Sequence, residues 1–203
     1  MSRTQPERSA ATQAALVAAA RKLWAERGYA AVGTPEIATA AGVTRGAMYH
    51  QYADKAALFA AVIEAVEADA MRRLSTAVAA ARPASPAEAM HAAANAWLEI
   101  AAEPEVRQIV LLDAPVVLGP AGFRELNQRY GLGITEQLLA GAIDAGQLTP
   151  QPVRPLAALL LAAIDEAAMV VAVAEDPSAA RIEVRAAVRN LLDGILRDPA
   201  SGD

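Results

Sequence analysis

The sequence predicts an all-α protein of about nine helices. Three observations carry that reading. Alanine is abundant while aromatic residues make up only 4% of the chain, which suits closely packed helices. Apolar residues recur at helical spacing in one segment after another. No stretch alternates apolar and polar residues with the Val, Ile and Thr enrichment of strands. With 55% hydrophobic and 20% charged residues among 203, the chain can bury a large core and stay ordered.

The elements follow in order. Leu16, Ala19, Ala20, Leu23 and Trp24 form a stripe on a first helix from Ser9 to Arg27, with Gly28 as its stop. Thr34-Pro35 reads as N-cap and first residue of a short second helix, "PEIATAA", ended by Gly42. A third helix covers Thr44 to Gln51. Asp54 caps a long fourth helix to Ala81, whose buried face carries Leu58, Val62, Ala65, Val66 and Met71. "SPAE" at Ser85 to Glu88 is a capping box with proline at the first helical position, opening a fifth helix to Ala102. Helical material at Glu105 to Asp113 precedes a break at "DAPVVLGPAG". A helix from Ala121 to Ala145 follows, weakened by roughly 1 kcal/mol at each of Gly131 and Gly133. After the loop "GQLTPQPVRP" come two apolar helices, Leu156 to Ala174 and Ser178 to Arg197, separated by Asp176-Pro177. There is no internal repeat and no low-complexity linker.

Several classes fall away. Without cysteine there is no disulfide framework, thiol nucleophile or cysteine zinc site. The polar start "MSRTQPERSAATQ" lacks the apolar stretch of a signal peptide. Leu156 to Ala174 is apolar over about 19 residues, but Asp165-Glu166 at its middle penalises a membrane span. The expectation is a cytoplasmic protein with no membrane partner. His50 and His91 lie in different regions, and neither a phosphate-binding loop nor a dinucleotide turn occurs, so no enzyme, metal or cofactor is expected.

The overall charge is −5, yet residues 1–55 hold seven Arg/Lys against four acids, a net of +3. The remainder holds eleven against nineteen, a net of −8. A basic head on an acidic body is compatible with a polyanionic partner. Within that head, two short helices joined by "AAGV" form a helix-turn-helix, with Gly42 supplying the tight turn. From Val43, Arg45, Gly46, Tyr49 and His50 share one arc of the third helix, opposite Val43, Ala47, Met48 and Tyr52. A helix so built suits the DNA major groove. Arg45 matches guanine O6 and N7, and Gly46 removes bulk near the groove floor. Thr34, Thr44, Tyr49 and His50 suit phosphate, and Lys55 adds a cation at the start of the fourth helix. The expected division is a DNA-binding domain at 1–55 and a ligand-binding and dimerisation domain at 56–203, linked by the helix over 54–81. At 1.5 Å per residue that helix spans roughly 40 Å, long enough to couple the two.

"TPEIATAAGVTRGAMYHQYADKAALF" resembles the signature of TetR-family (tetracycline-repressor-like) transcription regulators. The resemblance rests on the Ile-Ala pair, Ala-Gly-Val-Thr, Tyr-His-x-aromatic and Asp-Lys-x-x-Leu-Phe. Gln51-Tyr52 departs from it, since the family more often places Phe after a basic or polar residue. At motif level it covers Ser9 to Phe59, and the helix pattern extends it loosely to the whole chain. It implies a homodimeric one-component regulator, most often a repressor, that binds a palindromic operator and is released by a small-molecule effector. The final two helices are then the dimer interface, with Val184, Val188, Leu191, Leu192 and Ile195 on a stripe, although an intrachain core explains the same apolarity. Asn95, Trp97, Asp113, Tyr130, Asp165 and Glu166 are candidate effector contacts. Asp165 and Glu166 diverge by about 100° and cannot both enter one cavity. The alternative is a helical small-molecule carrier or interaction module without functional DNA binding.

Overall fold

The computed structural model describes residues 4–196; Arg3 of the basic head and Arg197 of the last expected helix lie outside the described residues. Ten α-helices and two π-helical turns are arranged as α1 Gln5–Ala31, α2 Thr34–Ala40, α3 Arg45–Gln51, α4 Lys55–Ala81, α5 Pro86–Ala101 and α6 Pro104–Val106. A π-helical turn at Arg107–Asp113, α7 Ala114–Asn127, a second π-helical turn at Gln128–Leu132, α8 Gly133–Asp144, α9 Val153–Val173 and α10 Pro177–Ile195 complete the order. No strand occurs among the described residues.

The expected caps act locally. Asp54 Oδ1 accepts from Ala57 N at 2.7 Å, and Ser85 Oγ accepts from Glu88 N at 3.2 Å. Asp176, expected only as part of the break between the last two helices, is also a cap, its Oδ1 accepting from Ser178 and Ala179 N, both at 3.0 Å. These bonds satisfy amides that the helix itself leaves unpaired. The stretch "DAPVVLGPAG" differs from expectation. Pro104–Asp144 is one continuous run, so the expected helices at Glu105 to Asp113 and Ala121 to Ala145 are joined and the count of runs falls from nine to eight. The break shrinks to Gly119, at φ 68°. Pro120 then restarts the helix where a missing N–H is harmless.

The chain divides into two compact units, and their boundary is not a single cut at residue 55. One unit holds residues 1–69 together with 104–117; the other holds 70–103 and 118–203. The first is built on α1, which packs against α2, α3, α6 and the first π-helical turn. Leu16, Ala20, Trp24, Ile37, Met48, Leu58, Phe59 and Val62 form its core. Trp24, Tyr29 and Phe59 meet with ring centroids 4.7 to 5.4 Å apart. Arg21 fastens α6 to α1 through Glu105 at 2.5 Å.

In the second unit, α9 packs on α5, α8, α10 and the second π-helical turn, and α10 also packs on α5. Trp97, Leu98, Leu139, Leu160, Val171, Val188 and Leu192 lie in its core. Glu99 of α5 pairs with Arg181 and Arg185 of α10. By length and composition Pro104–Asp144 and Val153–Val173 are apolar enough to cross a membrane. Apolar helices of a soluble bundle meet the same criterion.

Candidate nucleic-acid interface

The helix-turn-helix is set by local chemistry. Gly42 adopts φ 68°, a conformation cheap only for glycine, and donates to the Thr39 carbonyl at 3.0 Å. Val43 N donates to the Ala38 carbonyl at 3.0 Å, closing the turn. Thr44 then caps α3, its Oγ1 accepting from Ala47 N at 3.1 Å. Met48 anchors the helix in the core, while Arg45, Gly46, Tyr49 and His50 are exposed. The division of α3 into an apolar and a polar arc is therefore present in three dimensions. A Cβ built at Gly46 meets nothing closer than Thr44 Oγ1 at 3.9 Å, so the surface there is open.

The polar arc is partly pre-organised. The Arg45 guanidinium lies 5.5 Å from the Tyr49 ring centroid. The Tyr49 hydroxyl is 3.1 Å from Thr34 Oγ1. Hydrogen bonding to Thr34, with a smaller contribution from Arg45, lowers the Tyr49 phenol from its ordinary pKa. Thr34 itself is buried and sits at the first position of α2, one residue inside the Gly33 cap. It is therefore the first residue of the helix and not its expected N-cap, and its hydroxyl supports Tyr49.

Lys55 has a partner within its own unit. Its Nζ donates to the Tyr29 carbonyl at 2.6 Å and stands 4.0 Å from the Tyr29 ring centroid. The long side chain reaches back to this carbonyl near the end of α1. Desolvation lowers the Lys55 pKa, with Asp113 opposing it.

Asp113, expected at the effector pocket, belongs to the first unit. Its Oδ2 accepts from Tyr29 N at 2.7 Å, just after α1 turns at Gly28. Gly28 has φ 77°, and a Cβ there would lie 3.0 Å from Gln108 Nε2. Glycine thus serves both the turn and the close approach of the π-helical segment.

The remaining pocket candidates separate. Asn95 and Glu166 are exposed, and Tyr130 is half-buried on the second π-helical turn. Trp97 and Asp165 come together inside the second unit. Asn127, which sequence reasoning missed, donates from Nδ2 to Asp165 Oδ2 at 2.8 Å. Nothing in "RELNQRY" marks it, because its importance comes from α9 lying opposite. Burial pushes the Asp165 carboxyl up to about 7, with the Trp97 indole pulling it back. The indole Nε1 is nonetheless buried without a properly formed hydrogen bond among the described residues.

The interface candidates also divide. Val188 and Leu192 are 6% and 1% exposed, so these two belong to the core of the chain itself. Val184 and Ile195 are half-buried, and Leu191 is exposed. The outward apolar residues are Ile182 and Leu191 on α10 with Leu159, Val170 and Val173 on α9. The stripe was legible as apolar; its direction was not.

Comparison with known proteins agrees with this architecture. Residues 16–62 match the family described as bacterial regulatory proteins, tetR family. Residues 87–195 match the tetracyclin repressor-like C-terminal domain. A stretch of 62 residues is 44% identical to the HTH-type transcriptional regulator CymR of Pseudomonas putida, covering 30% of this chain and 30% of that relative. The crystal structure of a TetR-family transcriptional regulator from Pectobacterium atrosepticum superposes with a TM-score of 0.83 at 36% identity, over 97% of this chain and 100% of that one. RolR, solved with resorcinol, shares the fold with a TM-score of 0.70 at 18% identity, over 96% and 99% of the two chains. With a helix-turn-helix head, a helical body and a relative matched over its full length, the chain belongs to the TetR family of bacterial regulatory proteins.

Proposed function

We propose that the chain is a cytoplasmic one-component transcription repressor that acts as a homodimer on a palindromic operator and releases it on binding a small molecule. The observation that carries this reading is the exposed arc of Arg45, Gly46, Tyr49 and His50 on α3, held over the buried Met48. Arg45 reads a base edge, Tyr49 and His50 meet phosphates, and the Thr44 cap sets the helix start where bases come within reach.

Dimerisation uses the outward apolar faces of α9 and α10, around Leu159, Val170, Val173, Ile182 and Leu191. Exposed residues of this size on adjacent helices are the mark of an interface. The effector binds among α5, α8 and α9. The likeness to RolR, a protein of the same fold solved with resorcinol, supports a body able to take a small molecule.

Gel-shift titration against the region upstream of the chain's own gene, repeated at several salt concentrations, tests the reading. Specific, salt-sensitive retardation supports it. Binding that does not distinguish this region from random duplex argues for a carrier or interaction module.

A further inference from the structure

Arg45 is exposed on α3, and no acid pairs with it among the described residues. What its guanidinium meets is the Tyr49 ring, one helical turn along, at 5.5 Å from the centroid. A cation within about 6 Å of an aromatic centroid is attracted to the ring. Residues four apart are neighbours on a helix surface, so the backbone of α3 itself sets up the contact.

The ring is held in turn. Its hydroxyl lies 3.1 Å from Thr34 Oγ1, and Thr34 is only 8% exposed in the first turn of α2. The hydroxyl tether and the ring are separate contacts. One joins Tyr49 to a buried residue of α2, and the other joins it to Arg45.

Such an arrangement affects base reading more than general adhesion. An arginine side chain loses several rotatable bonds when it is fixed, and that loss opposes binding. Bidentate bonding to guanine O6 and N7 requires the planar fork in one orientation. A fork ordered before DNA arrives gives up less freedom on binding. The benefit is confined to sequences in which the fork finds its guanine, because a phosphate tolerates many orientations of a cation.

We propose that Tyr49 is a positioning residue for Arg45, so that discrimination at the base Arg45 reads depends on the Tyr49 ring. This rests on the reading of α3 as a DNA-recognition helix and deepens it, assigning the ring to specificity and the hydroxyl to affinity.

The first test needs no DNA. Nitrogen-15 relaxation at Arg45 Nε in the full chain should report an ordered side chain in the native protein and in Tyr49→Phe, and a mobile one in Tyr49→Leu. Equal mobility in all three overturns the proposal whatever the chain binds.

The second is competition binding, with folding checked by circular dichroism. Its probes are the duplex upstream of the chain's own gene and versions of it substituted base by base. Tyr49→Leu should lose about three- to fivefold of the native discrimination at one base position per half-site, the scale of an exposed cation–π contact. Tyr49→Phe should bind all sequences more weakly and keep that discrimination. In an Arg45→Ala background Tyr49→Leu should cost no further discrimination, since an effect exerted through Arg45 vanishes with it. A uniform loss in Tyr49→Leu, or a discrimination loss that persists without Arg45, overturns the proposal and leaves the recognition helix standing. A native chain with Arg45 ordered by the ring but no base discrimination overturns the recognition-helix reading, and the specificity role of Tyr49 falls with it.

Discussion

The hydroxyls of Thr34 and Tyr49 lie 3.1 Å apart, joining the first turn of α2 to the exposed face of α3. A side chain on the second helix of the motif is thus held by a residue on the first. Thr34→Val should preserve the fold while loosening Tyr49. DNA affinity should fall by about 1 kcal/mol on all sequences alike, because phosphate contacts position without specifying. Arg45→Ala should lose about 1–3 kcal/mol and relax preference at one base position per half-site. Competition binding with substituted half-sites separates the two. A base-specific effect of Thr34→Val, or full discrimination by Arg45→Ala, would reverse these assignments.

Lys55 is bonded to the Tyr29 carbonyl, which makes it a brace for the end of α1. Lys55→Met should lower stability by about 1–2 kcal/mol in urea titration, the scale of a charge-assisted hydrogen bond that is partly solvated. The slope of log affinity for DNA against log salt should stay unchanged. A slope reduced by about one would restore Lys55 to the phosphate contacts.

The apolar stripe of α10 should respond differently on its two sides. Leu192 is 1% exposed, so Leu192→Glu places a charge in the core and should unfold the second unit. Ile182 is 73% exposed, so Ile182→Glu should leave a folded chain that no longer pairs. Light scattering with circular dichroism decides. A dimeric Ile182→Glu would move the interface elsewhere.

The pH dependence follows from Asp165, whose carboxyl is pushed up to about 7 by burial. Between the ordinary carboxylate value and about 7 the folded state holds this proton and the unfolded state has released it. Stability from this group is therefore fully present at low pH and is lost as pH rises through about 7, a loss of at most about 4 kcal/mol. Asp165→Asn cannot titrate. Urea midpoints of the native chain should fall relative to those of the variant between pH 5 and pH 8. A constant difference would mean that the carboxyl titrates normally.

The sequence by itself determined what is local. Asp54, Ser85 and Asp176 cap helices wherever the chain places them, because each acts on amides two or three residues away. Gly42 marks its turn for the same reason, and the split faces of α3 follow from a fixed 100° per residue. The motif from Thr34 to Phe59 was therefore readable as a helix-turn-helix with Arg45, Tyr49 and His50 outward.

Tertiary structure decided which side chains are buried and which groups of the same chain they meet. Lys55 and Asp113 looked like ligand-facing charges until the Tyr29 carbonyl and amide appeared beside them, 26 and 84 residues away in sequence. Val188 and Leu191 differ little in periodicity, yet one is buried by α5 and α9 and the other faces out. Asn127 and Trp97 gained their meaning only when α9 brought Asp165 against them. Helical periodicity fixes which residues share a face, whereas burial depends on which helix covers that face, and that is a property of contacts between distant segments.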